Sequence, residues 1–114
     1  MRNTRPIVWL KAARRDFEDF PEKPRDRLLD ALTVVAEGGM PPLAKPLIGF
    51  GSGVFELALG FRGDAFRVVF AVQLGPDVWV IDAFQKKSKT GIRTPKQELD
   101  LIEARLRRAR ETVR

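Results

Sequence analysis

The sequence predicts an α+β fold with the element order β-α-α-β-β-β-α, in which helices pack on a small antiparallel sheet. Three observations lead to this prediction. Short apolar runs rich in β-branched and aromatic residues indicate strands, apolar residues at helical spacing indicate helices, and tight turns containing Gly and Asp separate the last strands. A chain of 114 residues has the usual size of one domain, so residues 1–114 are expected to form a single domain.

The first part of the chain is predicted to form a strand and then two helices. Residues 7–10 are a short apolar run, which is typical of an edge strand. Apolar residues at helical spacing predict a first helix over residues 11–20, and Pro21 ends it. Pro24 suits the first position of the second helix, and the two glycines at residues 38–39 end that helix.

The remainder is predicted to form three strands and a final helix. Residues 42–53, which contain several prolines and glycines, are expected to form a loop. The strands are expected over residues 54–59, 65–72 and 78–84. Tight turns between consecutive strands predict an antiparallel meander. In the last helix, Thr94 suits the N-cap, Pro95 the first helical position, and Gln97 completes a capping box.

Composition excludes several classes of site. The chain has no cysteine and no histidine. It therefore has neither a disulfide framework nor a thiolate zinc site, and it lacks a Ser-His-Asp triad. We expect no metal and no cofactor. No apolar run reaches the length of a membrane span, and the N-terminus does not resemble a signal peptide, so a cytoplasmic protein is expected.

The net charge of +6 is concentrated near the C-terminus. Residues 1–82 contain 11 Lys/Arg and 11 Asp/Glu, whereas residues 83–114 contain 10 Lys/Arg and 4 Asp/Glu. Such an asymmetry is typical of a surface that binds a polyanion. It favours a nucleic-acid partner slightly over the alternative of a solvated helix face with surplus arginines.

Three stretches carry sequence motifs. Residues 45–57 read KPLIGFGSGVFEL, residues 66–70 read FRVVF, and residues 83–98 contain AFQKKSK followed by TPKQE. Together these motifs resemble the RelE/ParE superfamily of small bacterial toxins, and most closely its phage-derived, HigB-like branch. The last motif is the most specific.

Two positions depart from the pattern of that branch. Its members commonly have an arginine after Glu-Leu, where this chain has Ala58, so a phosphate contact from that position is either absent or supplied by Arg62. Residues 91–93 (Gly-Ile-Arg) are an insertion that lengthens the basic loop before Thr94.

The resemblance implies a RelE-like fold and the toxin of a type II toxin–antitoxin pair. Such toxins are neutralised by a small DNA-binding antitoxin, usually of the helix-turn-helix type in this branch, and the pair binds operator DNA through the antitoxin. Many members cleave mRNA in the ribosomal A site by metal-independent phosphodiester cleavage through the 2′-OH. Ribosome and mRNA are therefore the expected partners.

Three lysines are predicted to take part in this chemistry. Without histidine, proton transfer to and from the RNA falls to Lys, to a carboxylate, or to groups of the substrate and ribosome. Lys86, Lys87 and Lys89 are close enough in sequence for each charge to lower the pKa of its neighbours, which would make one of them a general base or acid near neutral pH. The alternative interpretation is a solvated basic loop.

Arg67 is the predicted stabiliser of the scissile phosphate, because its planar fork can hold two phosphate oxygens. Alternation places it on one face of its strand with Val69 and Ala71. An arginine there is costly unless it is paired or lies at an edge, and Glu56 is the expected partner. Glu56 is also a candidate general base. A purely structural ion pair explains the pattern equally well, and the resemblance favours function.

Arg62, Phe84, Arg93 and Lys96 are predicted to contact RNA around this site. Phe84 suits stacking on a base, although core packing is the stronger explanation for an aromatic residue in a strand. A second hypothesis is a non-catalytic binding module on the same fold, such as a ParE-like inhibitor of DNA gyrase or an inactive regulator. A DNA-binding regulator is less favoured, since no segment reads as a helix-turn-helix.

Overall fold

The fold is described by a computed structural model for residues 4–87 and 94–113. Within those ranges five strands and three helices occur. In chain order they are β1 (Ile7–Trp9), α1 (Lys11–Glu18), α2 (Glu22–Ala36), β2 (Ala44–Pro46), β3 (Val54–Phe61), β4 (Asp64–Ala71), β5 (Val78–Lys86) and α3 (Lys96–Thr112).

The five strands form one sheet with the spatial order β1-β5-β4-β3-β2. The predicted meander is confirmed, since β4 pairs antiparallel with both β3 and β5. The first strand lies at the edge as expected, but it runs parallel to β5. The sheet is therefore mixed, and the prediction of a wholly antiparallel sheet is wrong. No hairpin links β1 to β5, so the sequence gives no turn from which their relative direction follows.

The predicted loop at residues 42–53 contains β2, which pairs antiparallel with β3. This strand is three residues long and ends at Pro46. Proline is tolerated there because an edge strand leaves one side of its backbone unpaired. So short a segment shows no period-2 pattern, which explains why the sequence prediction missed it.

Two predicted helix starts differ from the structure. The second helix begins at Glu22, so Pro24 lies at its third position rather than its first. The N–H groups of a first turn have no partner within the helix, and proline is tolerated there for that reason. The last helix begins at Lys96 with Pro95 at the N-cap and without a capping bond from a side chain. The predicted Thr94 cap is therefore wrong.

The sheet separates two apolar cores. On one face α1 and α2 pack on the strands, with Phe17, Leu28, Leu32, Phe66, Val68 and Phe70 among the buried residues. On the other face lies α3, with Val69, Trp79, Ile81, Phe84, Ile102 and Leu106. Val113, predicted near the apolar stripe of the last helix, is exposed just after the helix ends. No helix in the described ranges is long and apolar enough to cross a membrane.

Candidate active site

An ion pair lies on the α3 side of the sheet, between β3 and β4. Arg67 Nη1 donates to Glu56 Oε1 over 2.6 Å, and only 14% of the arginine side chain is exposed. Arg67 lies on the same face as Val69, as alternation along β4 predicts, and directly opposite Ala58 of β3. Residue 58, where the resemblance led us to look for an arginine, is therefore an alanine paired with Arg67 in the register.

Lys86, the last residue of β5, is placed on this same face. It pairs with Ala65, two residues before Arg67, and only 4% of it is exposed. Its Nζ makes no hydrogen bond with any described residue. Burial lowers the pKa of Lys86, and the positive charge of Arg67 lowers it further, while Glu56 opposes the shift. The amine is thus biased toward the neutral form that accepts a proton.

Lys87 is in a different environment. Its side chain is 68% exposed, and its Nζ lies 3.7 Å from Oδ2 of Asp64 at the start of β4. The same carboxylate oxygen accepts a hydrogen bond from Gln85 Nε2 over 2.8 Å. Adjacent lysines point to opposite sides of the chain, so the cluster predicted from sequence divides into one buried amine and one exposed cation.

A cleft joins the end of β5 to the start of α3. Its lining residues are Phe84, Gln85, Lys86, Lys87, Pro95, Gln97 and Glu98. Phe84 belongs mainly to the core beneath α3, but part of its ring also forms the cleft wall. Lys86 therefore forms part of the cleft wall, while its Nζ is buried beneath the surface.

The other predicted RNA-binding residues lie at this end of the sheet or fall outside the described ranges. Arg62 is exposed in the β3–β4 turn, where it has a positive φ of 52°, and its Cζ lies 5.1 Å from the centre of the Phe61 ring. Lys96 is exposed at the first turn of α3, between two residues that line the cleft. Lys89 and Arg93 are outside the described residues.

A second group of charged residues beside the cleft was not predicted from the sequence. Asp82 of β5 is 1% exposed. Its Oδ1 accepts hydrogen bonds from Arg105 Nη1 of α3 over 2.8 Å and from the Ala83 N–H over 2.9 Å. Its carboxyl group also hydrogen bonds the side chain of Glu98.

The environment of Asp82 favours its protonated form. Burial, together with the hydrogen bond to Glu98 and the negative charge of Glu98, raises the pKa of Asp82 to about 8, although Arg105 and the Ala83 N–H oppose the shift. A β-bulge places Asp82 there: Val69 of β4 pairs with Asp82, but the next residue, Phe70, pairs with Val80. The extra residue brings Asp82 to the same face as α3. An aspartate within the apolar run VWVIDAF was the available sequence signal.

Among the described residues, no group of three or more metal-ligating side chains lies close enough together to hold a metal ion.

Comparison with known proteins gives a family and a fold. The sequence profile of the family described as "Phage derived protein Gp49-like (DUF891)" matches residues 15–107. Among solved structures, a double arginine-to-alanine mutant of the E. coli toxin RelE in the free state superposes with a TM-score of 0.60 at 18% identity, covering 92% of this chain and 97% of that one.

A second solved structure is less similar. The toxin–antitoxin complex RelBE2 from Mycobacterium tuberculosis matches at 22% identity over 75% of this chain and 93% of that one, with a TM-score of 0.43. No protein of curated function matches the sequence.

Proposed function

The chain belongs to the phage-derived Gp49-like family within the RelE superfamily and has the fold of RelE, and from this premise we propose that it is the toxin of a type II toxin–antitoxin pair. Its proposed activity is ribosome-dependent endonucleolytic cleavage of mRNA, without a metal, through attack of the 2′-OH on the adjacent phosphate. Cleavage of translated mRNA would inhibit translation and growth. The cytoplasm is the proposed location, since its substrate is on the ribosome.

One observation carries the proposal: a buried amine with no hydrogen-bond partner among the described residues lies beside an arginine–carboxylate pair, and its residue lines a cleft. An unsatisfied buried ammonium is costly for folding. A group of this kind with a lowered pKa is typical of a functional site, because a general base must be neutral near the working pH.

The residues then take distinct roles. Neutral Lys86 accepts the proton of the 2′-OH, and the resulting alkoxide attacks phosphorus. Arg67, held by Glu56, donates to the phosphate oxygens as negative charge develops in the transition state. Lys87 contacts the phosphate backbone as an exposed cation, and we assign the same role to Lys89. Glu56 acts as the partner of the arginine rather than as the base, since Arg67 occupies its Oε1.

Further contacts place the RNA. Arg62 and Lys96 lie at the same end of the sheet as the cleft, and with Arg93 they supply positive charge along the path of the strand. The exposed part of Phe84 offers a surface for one base. The proposed protein partner is a helix-turn-helix antitoxin, which would also link the pair to operator DNA.

The test is a variant that removes two cations from the site. Arg67→Gln together with Lys87→Gln should abolish growth inhibition, and primer extension should show loss of codon-linked cuts in cellular mRNA. The matched control is Arg14→Gln with Arg107→Gln, which also removes two charges but from exposed i,i+4 pairs on helices. The control should stay toxic. Both proteins should give the circular dichroism spectrum of the unmodified protein.

A fully toxic Arg67→Gln/Lys87→Gln protein would contradict the site assignment. Toxicity with DNA damage and without mRNA cuts would contradict the nuclease and support gyrase inhibition.

A further inference from the structure

The buried carboxyl group of Asp82 hydrogen bonds the side chain of Glu98, a half-buried residue of α3. Two ionised carboxylates have no donor between them, so their hydrogen bond requires one proton. The oxygens that Arg105 and the backbone do not reach, Asp82 Oδ2 and Glu98 Oε2, are buried and meet no other donor in the described part of the chain. One shared proton satisfies both oxygens.

Only one member of this pair can reach a ligand. Asp82 is covered by α3 and held on its other oxygen by Arg105 and the Ala83 N–H. Glu98 lies in the first turn of α3 and forms part of the wall of the cleft that also holds Lys86. The pair therefore connects the interior to the cleft, with the glutamate at the cleft end.

Charged groups on each packed element lie near this pair. Arg105 of α3 opposes protonation of Asp82. Lys86 and Lys87 line the same cleft as Glu98, and Asp16 and Asp19, at the end of α1, line a second opening next to it. The burial of Asp82 and the carboxylate–carboxylate contact favour its protonation.

We propose that Glu98 is the general acid of the RNA cleavage, donating the shared proton to the departing 5′-oxygen, and that Asp82 is a positioning residue that keeps this proton on the pair. This inference rests on the proposed nuclease activity. A histidine-free chain needs another group that is protonated near neutral pH for this step, and the pair supplies one opposite the amine.

Each proton transferred in the reaction has a named donor and acceptor, and one bond to phosphorus forms as another breaks. The 2′-OH gives its proton to the Lys86 amine, and the 2′-oxygen forms a bond to phosphorus. The bond between phosphorus and the 5′-oxygen breaks, and that oxygen takes the proton from Glu98. The products are a 2′,3′-cyclic phosphate and a 5′-OH. Solvent then removes the proton from Lys86 and returns one to the Asp82–Glu98 pair.

A change of leaving group tests the role of Glu98. Ribosomes are programmed with a short mRNA whose A-site codon carries a normal phosphodiester, or the same mRNA with sulfur in place of the 5′-bridging oxygen. A thiolate leaves without protonation, so it needs no general acid. Glu98→Gln should cleave the oxygen mRNA about 100-fold or more slowly than the unmodified protein does. It should cleave the sulfur mRNA at nearly the same rate as the unmodified protein. Glu103→Gln, an exposed residue of the same helix, is the matched control and should cut both normally.

Two results would overturn the assignment. If Glu98→Gln slowed cleavage of both mRNAs equally, or did not slow cleavage of the oxygen mRNA, Glu98 would be excluded as the acid. The proposed nuclease activity would still stand. An unmodified protein that cuts neither mRNA would instead overturn the proposed function, and the acid with it.

The pH profile tests the role of Asp82 and remains informative if Glu98→Gln fails to fold. In the unmodified protein the cleavage rate should fall as pH rises through the pKa of Asp82, about 8. Asp82→Asn removes the second carboxyl group and its negative charge, so the remaining proton is held less tightly. The alkaline fall in rate should move to lower pH, with activity recovered on acidification. An unchanged profile would show that Asp82 has only a structural role.

Discussion

The two faces of the sheet differ in how much of each a helix covers. An α-helix is about 10–12 Å wide with its side chains, whereas five strands at about 4.8 Å spacing span roughly 20 Å. On one face α1 contacts β5 and α2 contacts β3, so two helices lie across the strands. On the other face α3 contacts β5, and one helix is too narrow to cover the whole sheet.

Charged side chains occupy part of the second face, and they are largely buried. The first face carries an apolar core. On the second face the apolar residues give way, toward the end of β5, to Glu56, Arg67 and Lys86. From this comparison we propose that the first face contributes mainly to stability, whereas part of the second face lowers stability because it holds the candidate site.

Lys86→Met should have the largest effect, since it should lower the cleavage activity and raise the melting temperature. Loss of the proposed base should reduce mRNA cleavage by about 10²–10⁴-fold. Methionine is unbranched like lysine and one heavy atom shorter, and it removes a buried amine without a hydrogen-bond partner among the described residues, which costs roughly 1–3 kcal/mol. We therefore expect the melting temperature to rise by roughly 4–8 °C for each kcal/mol recovered. Cleavage assays on programmed ribosomes and thermal denaturation measure the two effects.

Lys23→Met is the control for this change, since Lys23 is exposed on α2. It should alter neither quantity. A Lys86→Met protein that melts at a lower temperature would contradict the proposed cost of the buried amine, and undiminished cleavage would contradict its role as base.

Leu28→Ala should show the reverse behaviour on the first face. Leu28 is fully buried between α2 and the sheet, so its truncation leaves a cavity and lowers the free energy of unfolding by about 2–5 kcal/mol. Cleavage per folded molecule should not change, because the site lies on the other face. The adjacent Leu29 is 43% exposed, and Leu29→Ala should cost under ~1 kcal/mol. Similar urea midpoints for the two variants would contradict this account of the core.

Much of the fold could be predicted from the sequence because its signals are local. Turn residues and β-branched runs predicted the meander, and the motif at residues 83–98, with two others, identified the phage-derived branch that the family match confirms. Alternation along β4 also predicted the face on which Arg67 lies. Each of these predictions depends on residues close together in the chain.

The rest of the site depends on contacts that a local pattern does not record. Lys86 differs from Lys87 because β5 continues two residues beyond the predicted end at Phe84, so one lysine points to the α3 side and the other to solvent. Asp82 reaches α3 only because a bulge adds a residue to β5. Its hydrogen bond to Glu98 depends on where α3 packs, which no sequence motif specifies.

Asp82→Asn should produce the smallest change, a difference in the pH dependence of stability. The Asp82 carboxyl keeps its proton up to a pKa of about 8 in the folded protein, against 3.8 without its surroundings. Between these values the folded state binds more protons than the unfolded state, so the free energy of unfolding falls as pH rises. Asp82→Asn cannot titrate at this position, and we expect it to flatten this fall between pH 5 and 8. Urea denaturation at several pH values measures the difference, and comparison with the unmodified protein cancels the opposite contribution of Lys86, whose lowered pKa makes stability rise with pH.

Asp100→Asn, an exposed change on α3, should leave the slope unaltered. Parallel curves for Asp82→Asn and the unmodified protein would show that the buried carboxyl pair holds no proton at neutral pH.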